Sequence, residues 1–178
     1  MFEREKTEVS MESVKHLKVA RRVAEQIWAV NKYEIMAKGY EQYKEVSKSF
    51  RSLDSFTGIE AIYFQINEIL NLPYKKGALI TTLEHIWGYF KKKASAEEKE
   101  AFFKALEKCK LLDCQTFDEL PPEVIHCRNV LASLLDQYPN SYIQVSRFIQ
   151  PARPWDELTV RNRRFVWKNG TVFIVGME

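Results

Sequence analysis

Three histidines, His16, His85 and His126, and three cysteines, Cys109, Cys114 and Cys127, are the residues suited to proton transfer, nucleophilic attack or metal binding. His85 is the most interesting. It precedes Gly88 and Tyr89 by three and four positions, the contact spacing of a helix, so His85 and Tyr89 form a candidate polar site for a proton carrier. The competing reading is a hydrogen-bonded histidine flanking the core. No histidine stands beside a nucleophile motif such as Gly-x-Ser-x-Gly, so no catalytic residue is assigned. Cys109, Cys114, His126 and Cys127 have the composition of a Cys3His set but not its spacing, because neighbouring His126 and Cys127 diverge by about 100° on a helix. Cys109 and Cys127 fall instead on apolar helical stripes, where cysteine packs as a small hydrophobe. No metal ligand and no cofactor are expected. The 6 glycines are unclustered, which gives no phosphate-cradling loop.

Basic residues carry the stronger signal. From residue 145 onward Arg147, Arg153, Arg161, Arg163, Arg164 and Lys168 face only Asp156, Glu157 and Glu178. Arginine suits RNA because its planar fork bonds phosphate twice and its face stacks on bases. Phe148, Trp155, Phe165 and Trp167 are interleaved as stacking platforms for unpaired nucleotides. Lys75-Lys76 and Lys91-Lys92-Lys93 flank a helix further upstream. Lys91 and Lys92 join the six tail cations as candidate nucleic-acid contacts. The alternative is that the lysines complement a helix C-terminus and the rings fill the core.

The elements that must position these residues are mostly helical. Ser10 to Lys38 has neither proline nor glycine and reads as one long first helix, broken at Gly39. Tyr40, Tyr43, Val46 and Phe50 define a second helix, and Ile59 to Leu70 a third that Pro73 ends. Leu79, Leu83, Ile86, Trp87 and Phe90 form the clearest apolar stripe, predicting a fourth helix. Ser95 and Glu98 have capping-box spacing and open a fifth helix at Ala96, with Phe102, Phe103, Leu106 and Cys109 on its buried face. Pro121 and Pro122 open a sixth, which runs to Pro139, and Tyr142 to Phe148 adds a short seventh.

Phe165 to Trp167 and Val172 to Val175 are β-rich runs around Asn169-Gly170, a dipeptide suited to a type I′ turn. Phe165, Trp167, Val172 and Ile174 then share one face of a hairpin, and Val166 and Phe173 the other, which is a candidate contact surface. The predicted fold is all-α: a compact bundle of six to seven helices with a small C-terminal β-hairpin, as one domain over residues 1–178.

A hydrophobic content of 46% in 178 residues supports a core without staples. No stretch approaches the roughly 18 apolar residues of a membrane span, the N-terminus is charged, and the cysteine count is odd. The expected location is cytoplasmic, away from membranes. A net charge of +3 is too small by itself to argue polyanion binding, so local clustering has to supply it.

Three segments together resemble the YbgA-like domain family. Asn31-Lys32-Tyr33-Glu34-Ile35-Met36-Ala37-Lys38 is similar to its His-Lys-Tyr-x-x-Met-Ala-His run. His85-Ile86-Trp87-Gly88-Tyr89-Phe90-Lys91-Lys92 is similar to its His-x-x-Gly-Tyr-Phe-Lys-Lys helix. Tyr138-Pro139-Asn140-Ser141-Tyr142, followed by Pro151, Pro154, Leu158, Arg161 and Asn162, resembles its His-Pro-x-x-Tyr motif and proline-rich turn. The resemblance spans about residues 25–162, with 163–178 as a hairpin extension. Asn31, Lys38 and Tyr138 stand where the family usually has histidines.

The resemblance implies a domain of unknown function that often stands behind an iron-sulfur domain of the thiouracil-desulfidase type. It further implies an accessory role, presenting thiolated RNA to such a partner. The functional expectation is a non-catalytic accessory domain that binds RNA, tRNA in particular, beside a separate desulfidase-type protein. The alternative is a protein-interaction or self-association scaffold using the C-terminal hairpin, which would make a homo-oligomer. A third reading is an enzyme with a polar pocket around His85.

Overall fold

The computed structural model describes residues 10–176. Its longest element, helix α1 (Leu17–Lys38), runs through both halves of the molecule. Ala20, Val23, Ala24, Ile27 and Ile35 enter one core with helices α2 (Tyr40–Arg51) and α3 (Phe56–Leu70). Tyr33, Met36 and Ala37 enter a second core with α4 (Lys76–Trp87), α5 (Ala96–Lys110) and α6 (Pro122–Gln137). The 3.6-residue period brings apolar side chains to two sides of this helix, and each side seeds one core.

Local chemistry sets the ends of these helices. The Ser95 hydroxyl accepts from the Glu98 amide at 3.2 Å while the Glu98 carboxylate accepts from the Ser95 amide at 2.8 Å, a complete capping box. Pro121 caps α6 and Pro122 opens it, where a missing amide proton costs nothing. The stripe of α4 is buried throughout, and Trp87 stacks on Phe102 with ring centroids 4.6 Å apart and planes 6° from parallel. Phe103, expected on the buried face of α5, is 37% exposed and meets Trp87 edge-on. The short seventh helix, α7 (Ser141–Gln144), is anchored by buried Ile143.

The all-α expectation is corrected by a second layer. The hairpin of β5 (Arg163–Lys168) and β6 (Thr171–Val175) lies inside a four-stranded antiparallel sheet, completed by β1 (Met11–Ser13) beside β6 and β4 (Glu157–Val160) beside β5. The fold is therefore mixed, seven helices with this sheet and a two-stranded ladder of β2 (Tyr74–Lys75) and β3 (Thr116–Phe117) among the described residues. The first helix starts at Leu17 rather than Ser10, because Met11, Glu12 and Ser13 pair with Val175, Ile174 and Phe173. A free edge on β6 offers unpaired backbone groups, and that outweighs the weak helical tendency of three residues. Both two-residue turns have positive φ at both positions, Arg161 and Asn162 (48° and 62°) and Asn169 and Gly170 (49° and 87°), as type I′ geometry requires. At Gly170 an added Cβ would collide with the Glu60 side chain, so the turn presses directly on α3.

Alternation along the sheet decides which side chains meet the helices. Phe165, Trp167 and Val172 are buried against α1 and α3, and Ile174 is half-buried on the same side. Val166 and Phe173 lie on the outer side and are half-buried.

Candidate nucleic-acid interface

The helix-facing side of β5 continues past the core at its first residue. There Arg163 meets the first turns of α1 across a groove of about 760 Å³. Lys18 and Arg22, one helical turn apart on α1, form one wall, and Arg161 and Arg163, at the β4–β5 turn, form the other. Val19, Val23, Val160 and Phe165 supply an apolar floor, and among the described residues no carboxylate lines the groove. Lys18, Arg22, Arg161 and Arg163 are all exposed. Their charges stay hydrated and available to a polyanion, so the groove concentrates positive potential.

The other expected contacts go elsewhere. Arg164, next in sequence to Arg163, points to the opposite side of the sheet, and its guanidinium donates twice to Glu157, at 2.8 and 3.2 Å. Arg147 donates through Nε to the Arg153 carbonyl at 2.8 Å, and Arg153 itself is exposed. Lys168 sits at the far end of β5, roughly 16 Å of strand from Arg163 at 3.3 Å per residue. Lys91 and Lys92 are exposed on the turn that follows α4, among the helices of the other core.

The interleaved rings are not platforms: Phe148, Phe165 and Trp167 are buried, and half-buried Trp155 packs on Tyr63 at 5.1 Å. Sequence reasoning missed Lys18, Arg22 and half-buried Gln26. Their i, i+4, i+8 spacing on one helix face was the available signal.

The histidines are dispersed. His16 is the N-cap residue of α1, His126 is exposed on α6, and His85 is exposed with its ring 6.1 Å from Tyr40. The Tyr89 hydroxyl lies 3.0 Å from that of Tyr33. Cys109 and Cys127 are buried where α5 meets α6, Cys109 Sγ donates to the Ala105 carbonyl at 3.5 Å, and the neighbouring Cys109 thiol together with burial pushes the Cys127 thiol far up. It stays protonated and is inert as a nucleophile. Cys114 is exposed.

The three positions at which histidines are usual in YbgA-like domains have structural partners. Asn31 is buried and donates to the Ile27 and Trp155 carbonyls at 2.8 and 2.7 Å, tying α1 to the chain before β4. Tyr138 donates to Glu98 at 2.9 Å, beneath the capping box of α5. Lys38 is buried with its ammonium 3.6 Å from the centroid of the Tyr74 ring, and the Tyr74 hydroxyl donates to Glu34. Burial lowers the proton affinity of Lys38 below that of an ordinary lysine and Arg147 adds to this, while Glu34 and Asp118 oppose it.

Fold and groove together define a mixed helical domain with a basic face at one end of its sheet. The chain belongs to the family described as "Protein of unknown function (DUF1722)", whose model matches residues 32–152, in agreement with the resemblance to the YbgA-like domain. No curated protein and no solved structure matches it. All four groove cations fall outside the matched residues, whereas Tyr33, Tyr89 and Tyr142 fall inside them.

Proposed function

We propose that the protein is a non-catalytic accessory domain that binds RNA through the groove between α1 and the β4–β5 turn. The observation that carries this reading is the convergence of Lys18, Arg22, Arg161 and Arg163 on one groove, although the two pairs are far apart in sequence. Phosphate neutralisation dominates such binding and depends little on base sequence. The YbgA-like resemblance supplies tRNA as the RNA class and a separate desulfidase-type protein as the partner. Fluorescence anisotropy of labelled tRNA across a salt series tests the reading. Each phosphate contact contributes about 0.7 to 0.9 to the slope of log affinity against log salt, so four contacts give a slope near −3. A flat salt response would end the proposal.

The second reading, a self-association scaffold, is favoured by the outer face of the sheet, where Val166 and Phe173 are partly open beside 42%-exposed Met11. Removing the hairpin is not a clean test, because Trp167 is fully buried. Substituting Val166 and Phe173 by lysine leaves the helix-facing side intact. A drop in mass by light scattering would support the scaffold, and an unchanged monomer mass would refute it.

A further inference from the structure

The three segments that carry the family resemblance, distant in sequence, meet at three tyrosines. Tyr33 on α1 is 4% exposed and its hydroxyl lies 3.0 Å from that of Tyr89, on the turn after α4. Tyr89 is therefore held at both ends, by its backbone bond to Ile86 and by its hydroxyl. Tyr142 is 66% exposed, and its ring centroid lies 6.5 Å from that of Tyr89 with the planes inclined by 32°. Tyr142 stands on a fixed base: the Asn140 carboxamide accepts from the amides of Tyr142 and Ile143 at 2.9 and 3.3 Å, and Ile143 is buried.

A flat ring held between two others needs about 3.5 Å on each side, or about 7 Å in all. The Tyr89 and Tyr142 centroids are already close to that spacing, and rotation of the exposed Tyr142 ring would bring the planes toward parallel. Lys91 and Lys92 are exposed two and three residues after Tyr89, and the Lys32 ammonium lies 5.1 Å from the Tyr33 ring. Positive charge beside an open pair of rings is complementary to a base attached to phosphates.

We infer that Tyr89 and Tyr142 clamp one unpaired nucleobase of a single-stranded RNA, with Lys32, Lys91 and Lys92 attracting its flanking phosphates. The clamp rests on the RNA-binding reading for its ligand but is a separate site from the groove. The test uses the full chain and an unstructured six-nucleotide RNA carrying one 2-aminopurine. Stacking quenches the probe, so quenching on titration is expected.

Tyr142→Ala is expected to weaken binding about tenfold and abolish quenching, and Tyr142→Phe to retain both. A chain with Lys18, Arg22, Arg161 and Arg163 all changed to glutamate is expected to keep the quenching while losing tRNA. Quenching unaffected by Tyr142→Ala, or no quenching by wild-type protein at low salt, overturns the clamp whatever tRNA binding shows. Lost tRNA affinity in the groove variant, together with quenching that Tyr142→Ala does not change, would leave the groove standing without the clamp. Circular dichroism of Tyr142→Ala, a change at an exposed side chain, checks that the fold is intact.

Discussion

Arg163 and Arg164 are successive residues of β5 that serve opposite faces of the sheet, one lining the open groove beside Lys18 and Arg22 and the other bound twice to Glu157. Equal chemistry at adjacent positions thus has unequal availability, because strand residues alternate between faces. Arg163→Glu is expected to weaken tRNA binding several-fold and to make the salt slope shallower by about 0.7 to 0.9. Arg164→Ala is expected to leave affinity nearly unchanged and to cost about 0.2 to 1 kcal/mol of stability, since the ion pair is largely solvent-screened. Anisotropy and urea unfolding of the two variants read these outcomes.

Trp167 links the sheet to the helices. It is fully buried, packs against Tyr63 at 5.5 Å and donates through its indole nitrogen to the Gly170 carbonyl at 3.3 Å. Trp167→Ala is expected to destabilise by about 3 to 5 kcal/mol, measured as a lower urea midpoint.

Ser95→Ala removes one half of the capping box of α5 and is expected to cost about 1 kcal/mol. Ser95→Asp retains an acceptor at the cap and is expected to recover most of that loss. Thermal unfolding of both variants checks the pair.

Two phenols give a pH signature. Burial, reinforced by Tyr89, raises Tyr33, and burial, reinforced by Glu34, raises Tyr74, each far above the ordinary value of 10.0. In both, the folded state holds the proton more tightly than the unfolded chain does. Their contribution to stability is complete below pH 10 and is lost as pH rises above it toward the folded values. Absorbance at alkaline pH is expected to show that Tyr33 and Tyr74 ionise only on unfolding, and that Tyr33→Phe with Tyr74→Phe removes this delayed step. Normal ionisation of all tyrosines near pH 10 in the folded protein would contradict it.

The helices were legible because each writes its own period and its own stop signals: Gly39, Pro73, the Ser95–Glu98 pair and Pro122 all mark real boundaries. β1 and β4 were not legible, since three and four residues carry too little pattern and owe their strand form to partners far along the chain. The turn at Arg161 and Asn162 was hidden for a related reason, as only asparagine hints at positive φ where no glycine is present. The groove was half legible. Arg161 and Arg163 were visible as tail arginines, but nothing in the sequence beyond their helical spacing sets Lys18 and Arg22 apart from other helix-surface charges, and only the sheet laid beside α1 makes them groove residues. Burial of Phe148 and Trp167 removed the stacking platforms expected in the tail, while Tyr142, visible only as a motif residue, became an exposed ring.

The most direct test of the central claim compares tRNA binding by the wild-type protein with that of the chain carrying glutamate at Lys18, Arg22, Arg161 and Arg163, at low salt and with folding verified. Loss of tRNA binding by the folded variant, with a salt slope near −3 for wild type, is the predicted result. Equal affinity and equal slope for the two proteins would show that the groove does not hold RNA.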